Sequence, residues 1–183
     1  MFEGVSKKLE RAGYFLNNLK TLAEEAGALA HVKQDKQQGM RANLDGFFFE
    51  IISAKDFFLQ GINDNYAGLA KNEATDIRQL KICLKCKDAS SALEAVKSIE
   101  KELSDKDSWL WKLNNYRNSA THRELLHFEH TVNVGRENPK TYLFENPEDP
   151  SQGHADIEVI PYCEQSLERM RDFLEQLYTE LCI

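Results

Sequence analysis

An arginine and a histidine with four residues between them, Arg117 and His122, close the aromatic-rich stretch WLWKLNNYRNSATH that begins at Trp109. A guanidinium stabilises negative charge building on a phosphate, and an imidazole takes and returns a proton near neutral pH. Side by side, the two groups suit gripping and cleaving a phosphodiester without a metal. Asn118 and His122 are four residues apart and Asn115 is three before Asn118, so a helix sets all three on one face. Arg117 falls on the adjacent stripe, from which its long planar fork reaches the same point.

That geometry requires a helix ending near residue 122, held by a helical body. The first segment supplies a clear pattern: Val5, Leu9, Ala12, Leu16, Leu19, Ala23, Ala26 and Ala30 alternate steps of four and three, which predicts a helix over 3–30. Phe15, Leu22 and Leu29 widen that stripe into one suited to a bundle core. The polar run 31–43 reads as a turn region, with a second helix over Leu44–Ile62 that is able to begin near Gln37. Its buried face is Leu44, Phe47, Phe48, Ile51, Ile52, Phe58, Leu59 and Ile62, with Asp45, Glu50, Lys55 and Asp56 outside or at the edges. Gly61 and Gly68 mark a break. Helix resumes over 73–87 and again to Leu103, where Ser91 with Glu94 matches a capping box. Ser104 and Asp107 repeat that pattern ahead of Trp109, placing Trp109, Leu113, Tyr116 and Ala120 on the inward face of the motif helix.

Beyond Leu126 the period changes. Phe128, His130, Val132 and Val134 alternate with polar neighbours, Thr141–Phe144 reads as a short strand, and 156–160 as another. The segment between, with Pro147 and Pro150, reads as a loop. Pro161 suits the first turn of a last helix, along which Cys163, Leu167, Met170, Leu174, Leu177 and Leu181 repeat the seam of the first. The expected fold is mainly all-α: one domain over 1–183, an up-and-down bundle of four to six helices with a small β-hairpin insertion before the last.

Composition narrows the function. The 183 residues carry a net charge of −7 and a pI of about 5.3, which excludes a broad electrostatic clamp on nucleic acid and leaves only a local basic pocket. The N-terminus has no apolar signal core and no window approaches a membrane span, so a cytoplasmic chain is expected. Of the four cysteines, Cys83 and Cys86 form a lone CxxC with no second pair and no nearby histidine, which reads as a reduced intracellular chain rather than a zinc or redox motif. His127 and His130 are three apart, a poor spacing for one strand face. His154 lies in a polar loop, and His31 follows a helix end. No metal site or cofactor is expected, and there is neither a paired-carboxylate site nor a glycine-rich phosphate loop. Arg117 and His122 also fit a plain structural role, as cations at the negative end of a helix dipole.

The order Arg117, Asn118, three residues, His122, late in a chain of this helical pattern, resembles the motif of HEPN domains, the helical bundles of many prokaryotic RNA-cutting toxins and defence proteins. The resemblance covers the chain in pattern but only these three residues in identity. It implies Arg117 on the scissile phosphate, His122 as acid and base, and Asn118 orienting the RNA, with Asn115, Lys112 and Arg123 as further substrate contacts. It also implies a homodimer in which two motifs share one cleft, Trp109 and Trp111 helping to build the interface, and a cognate antitoxin or other regulatory protein. One departure stands out. In HEPN toxins silenced by nucleotidyl transfer a tyrosine lies two residues after the histidine, and here that residue is Glu124. Two other expectations stand beside the nuclease: a catalytically inactive HEPN-like module that binds a nucleotide, RNA or protein, and a helical oligomerisation protein.

Overall fold

The four-and-three seam from Val5 to Ala23 becomes the buried side of α1 (Glu3–Gly27), on which Val5, Leu9, Ala12, Leu16, Leu19 and Ala23 are all buried. The computed structural model describes residues 1–27, 34–70, 75–122, 128–132, 140–145 and 154–181, so Leu29 and Ala30 lie outside the described residues, as does the side chain of Ala26. The fold is mainly helical, with six α-helices among the described residues.

The second helix starts well before Leu44: α2 spans Gln34–Ile62. Met40 is buried one turn before Leu44 and prolongs the apolar stripe, while Asp35, Gln37 and Gln38 are exposed. A polar stretch is therefore compatible with helix because only one residue per turn has to face the core. Lys36 ties this first turn to α1 through Glu25 at 2.8 Å. The two helices form an antiparallel hairpin in which the rings of Phe57 and Phe15 lie over Gly4 and Gly46.

Glu50 and Lys55, expected at the edges of α2, are each only 8% exposed. The reason is pairing: Glu50 meets Lys8 of α1 at 2.8 Å and Arg11 at 3.9 Å, and Lys55 meets Asp56 at 2.5 Å. A buried charge is tolerated when an opposite charge replaces the lost water.

A π turn over Asn63–Ala67 ends α2, and Gly68 closes it in the left-handed region, with φ 73° and its N–H on the Asn63 carbonyl at 2.7 Å. α3 (Ile77–Cys86) starts behind Asp76, whose carboxylate accepts from the N–H groups of Arg78 and Gln79, while residues 73 and 74 lie outside the described residues. α4 (Ser90–Ser104) opens one residue before Ser91, with no side-chain cap; Glu94 pairs with Lys97 instead of closing a capping box. Nor does Ser104 cap α5 (Trp109–His122): it ends α4, and Ser108 takes the cap, accepting from the Leu110 N–H at 3.2 Å.

Three strands follow, close to the three stretches expected from the alternation, and they form a sheet larger than the expected hairpin: β1 (Phe128–Val132), β2 (Lys140–Glu145) and β3 (His154–Glu158), in the order β1-β2-β3 with both pairings antiparallel. Phe128 pairs with Phe144 and Val132 with Lys140, while β3 pairs Glu158 with Leu143 and His154 with Glu145 across an irregularity. His154 thus belongs to a strand rather than a loop. The third strand stops at Glu158 because Val159 already begins the apolar seam of α6 (Val159–Leu181), which runs through Cys163, Ser166, Met170, Leu174, Leu177 and Leu181.

Candidate functional site

The motif helix is fixed in direction by aromatic contacts. Trp109, at its start, meets Phe173 edge-on at 5.8 Å, and Tyr116, in its second half, meets Tyr162 at 5.3 Å, so α5 runs antiparallel to α6. Phe48 of α2 contacts both Tyr116 and Tyr162, while Phe2 bridges Phe58 and Tyr178 further along, so α2 runs parallel to α6. The final turn of α5 therefore points to the end of the bundle that holds the first turns of α2, the start of α6 and the strand leading into it.

On α5, Leu110, Leu113 and Tyr116 are fully buried, and Arg117 continues the row of Leu110 and Leu113 by the next step of four. Its stem therefore leaves the edge of the core, and the residue is half-buried. The guanidinium donates from Nη1 to Oδ1 of Asn118 at 3.2 Å, so the carboxamide holds its neighbour's fork. Lys112, Asn115, Asn118 and His122 step by three and four along the next stripe; Lys112 is exposed, and Asn115 and Asn118 are half-exposed. His122 is the last residue of α5, but its side chain lies outside the described residues, as do Arg123 and Glu124. The helix is continuous from Trp109 to His122, so the spacing that sets Asn118 and His122 on one face is realised in the backbone.

Two charged residues of α2 sit on the same flank and were not legible as site residues. Asp45 and Arg41 lie three and seven residues before Phe48, on the stripe that faces Tyr116, and toward the end to which α5 points. Asp45 Oδ1 and Arg41 Nε are both buried without a hydrogen-bond partner among the described residues. Burial pushes the Asp45 carboxyl above its usual range, and the nearby positive charge of Arg41 only partly opposes this. Buried polar atoms are nearly always paired, so these two, one from a carboxylate and one from a guanidinium, set this flank apart from the apolar face around it. The signal was present in the spacing, since both residues interrupt an apolar stripe. It is masked because the polar run 31–43, which includes Arg41, reads as a turn, and Asp45 reads as an edge residue.

Tyr162 adds a neutral phenol to this end. Burial first, and then the neighbouring Tyr116, push its hydroxyl well above the ordinary tyrosine value, while the Ser166 hydrogen bond opposes them. It can donate a hydrogen bond but does not supply an anion near neutral pH. Among the described residues no cluster of three histidines, cysteines or carboxylates is placed to hold a metal ion, and no helix is long and apolar enough to cross a membrane. The chain matches no family model, no curated protein and no solved structure.

Proposed function

We propose that this chain is a HEPN-like helical domain that cleaves RNA without a metal, with Arg117 and His122 as its catalytic pair. The observation that carries the reading is the Arg117–Asn118 hydrogen bond on a helix that continues unbroken to His122. It presents an oriented guanidinium about a turn and a half before an imidazole-bearing residue. In this reading Arg117 neutralises charge on the scissile phosphate while His122 takes the 2′-hydroxyl proton and a proton is returned to the leaving 5′-oxygen. Asn118 and Asn115 contact the RNA, and Lys112 and Arg123 supply the local positive charge that an acidic protein otherwise lacks. Arg41 and Asp45 border the same point from α2. The reading further takes the active form to be a cytoplasmic homodimer in a toxin or defence setting, with one motif from each protomer facing a shared cleft.

The test is cleavage of a mixed RNA substrate by the purified protein in EDTA, with analysis of the product ends. Wild type is expected to leave 2′,3′-cyclic phosphate ends, and Arg117→Ala or His122→Ala to lower the rate by roughly a hundredfold or more. Loss of activity on metal removal, or full activity in both variants, would sink the proposal.

A second reading has its own observation. Phe49 and Phe57 of α2, 46% and 41% exposed, flank the same Lys8 ammonium at 5.4 and 5.3 Å, a pair of large apolar side chains at the surface of the kind found where proteins associate. A wild type that cuts no RNA yet sediments as an oligomer would favour a binding or oligomerisation module over the nuclease.

A further inference from the structure

The pair Cys83 and Cys86 lies at the other end of the bundle and has no part in the site above. Both thiols are free, and they stand three residues apart in the last turn of α3, on one face of the helix. Ideal helix geometry puts their Cα atoms roughly 5 Å apart, inside the span that a disulfide bridges. Their surroundings differ in a way that divides labour. Cys86 is exposed, between the exposed cations Lys85 and Lys87. Cys83 is half-buried, its Sγ donating to the Ala67 carbonyl at 3.3 Å, where the π turn that ends α2 closes.

The helix ends at this point. Asp88 takes a left-handed φ of 55°, the Asp88 N–H bonds the Lys85 carbonyl at 3.3 Å, and the Ala89 N–H bonds the Leu84 carbonyl at 3.0 Å. This left-handed stop confines any adjustment needed for bridging to a terminal turn, outside the interior of a helix.

We propose that Cys83 and Cys86 are a redox-responsive dithiol, closed to an intramolecular disulfide by a small-molecule disulfide of the glutathione class. The exposed Cys86 thiolate attacks one sulfur of oxidised glutathione and expels one glutathione thiolate, leaving a mixed disulfide on Cys86. The Cys83 thiolate then attacks Cys86 Sγ, forms the Cys83–Cys86 bond and expels the second glutathione thiolate. Two protein thiols are oxidised, one small disulfide is reduced to two thiols, and the two protein protons end on the leaving thiolates. Lys85 and Lys87, exposed on either side of Cys86, attract the anionic reagent. Closure draws Cys83 off the Ala67 carbonyl and releases the tether between α3 and the π turn.

The experiment uses the full chain, equilibrated with oxidised and reduced glutathione at graded ratios, quenched by thiol alkylation, and read by intact mass and tryptic mapping. Trypsin cuts after Lys81, Lys85 and Lys87, so the bridge holds together two peptides, 82–85 and 86–87, that otherwise separate. Wild type is expected to take up two fewer alkyl groups than the reduced protein, with those peptides joined, and to revert in dithiothreitol. Cys83→Ser is expected to stop at glutathione on Cys86, and Cys86→Ser to stay unmodified at Cys83. In the bridged protein, hydrogen exchange at the Gly68 amide, now bonded to Asn63 at 2.7 Å, is expected to rise several-fold. A wild type that remains reduced, or halts at the mixed disulfide, or joins other cysteines, overturns the dithiol. Unchanged Gly68 exchange in the bridged protein overturns the link to the π turn.

Discussion

Tyr116 lies nearly flat on Phe48, ring centroids 5.5 Å apart and planes inclined by only 19°. The residue immediately before Arg117 is thus clamped to the most buried stretch of α2, and the rotation of α5 that aims the motif is set by this stack. Tyr116→Ala is expected to cost about 3–5 kcal/mol, through lost contact and the cavity left against Phe48. Lys112→Ala, four residues earlier and exposed, should change stability by less than about 0.5 kcal/mol. Urea unfolding of the two variants checks the contrast; equal effects would mean that the stack does not hold α5 in place.

The α1–α2 hairpin depends on Gly46. A Cβ there would sit 2.7 Å from the Phe15 ring, whereas one at Gly13 would meet Leu167 at an ordinary 3.8 Å. Both glycines are in helices, so the same substitution should act with opposite sign. Gly13→Ala is expected to stabilise by about 0.5–1 kcal/mol through helix propensity, and Gly46→Ala to destabilise by about 1–3 kcal/mol through overpacking. Thermal unfolding of the pair measures both.

Asp45 gives a pH signature. Burial raises its carboxyl pKa in the folded state, so the folded protein favours the protonated acid. The stability associated with that proton is fully present below the ordinary aspartate value near about 3.9 and is lost as pH rises through the raised folded value. Asp45→Asn, neutral at every pH, should therefore be more stable than wild type at neutral pH and match it below about pH 4. Urea titrations from acid to neutral pH test this. A variant less stable than wild type at neutral pH would mean that Arg41 outweighs burial. If Asp45 also serves the proposed site, the same variant cuts RNA more slowly while being more stable.

Asp88 holds a left-handed backbone conformation that glycine adopts without strain. Asp88→Gly is expected to stabilise the chain by up to about 1 kcal/mol, because the relief from Cβ crowding outweighs the entropy lost by glycine on folding. Chemical denaturation reads the change. A destabilised variant would assign the Asp88 side chain a contact worth more than the strain.

The amino-acid sequence by itself determined the helix faces. The seams of α1 and α6 and the apolar stripe of α2 are local periodicities, and burial follows them because a helix must turn that face to a core. It also determined that Asn118 and His122 share a stripe, since spacing on a continuous helix needs no partner. Caps were less legible: Ser91, Ser104 and Ser108 are chemically equal candidates, and only the placement of the chain between α4 and α5 selected Ser108. Tertiary structure alone decided which charges are buried. Glu50 goes inside because the packing of α1 on α2 brings Lys8 against it. It alone brought Arg41 and Asp45 to the end where Arg117 emerges, because antiparallel packing of α5 on α2 places the start of one against the finish of the other. Periodicity reports which way a residue faces; what it faces is fixed only when the elements pack.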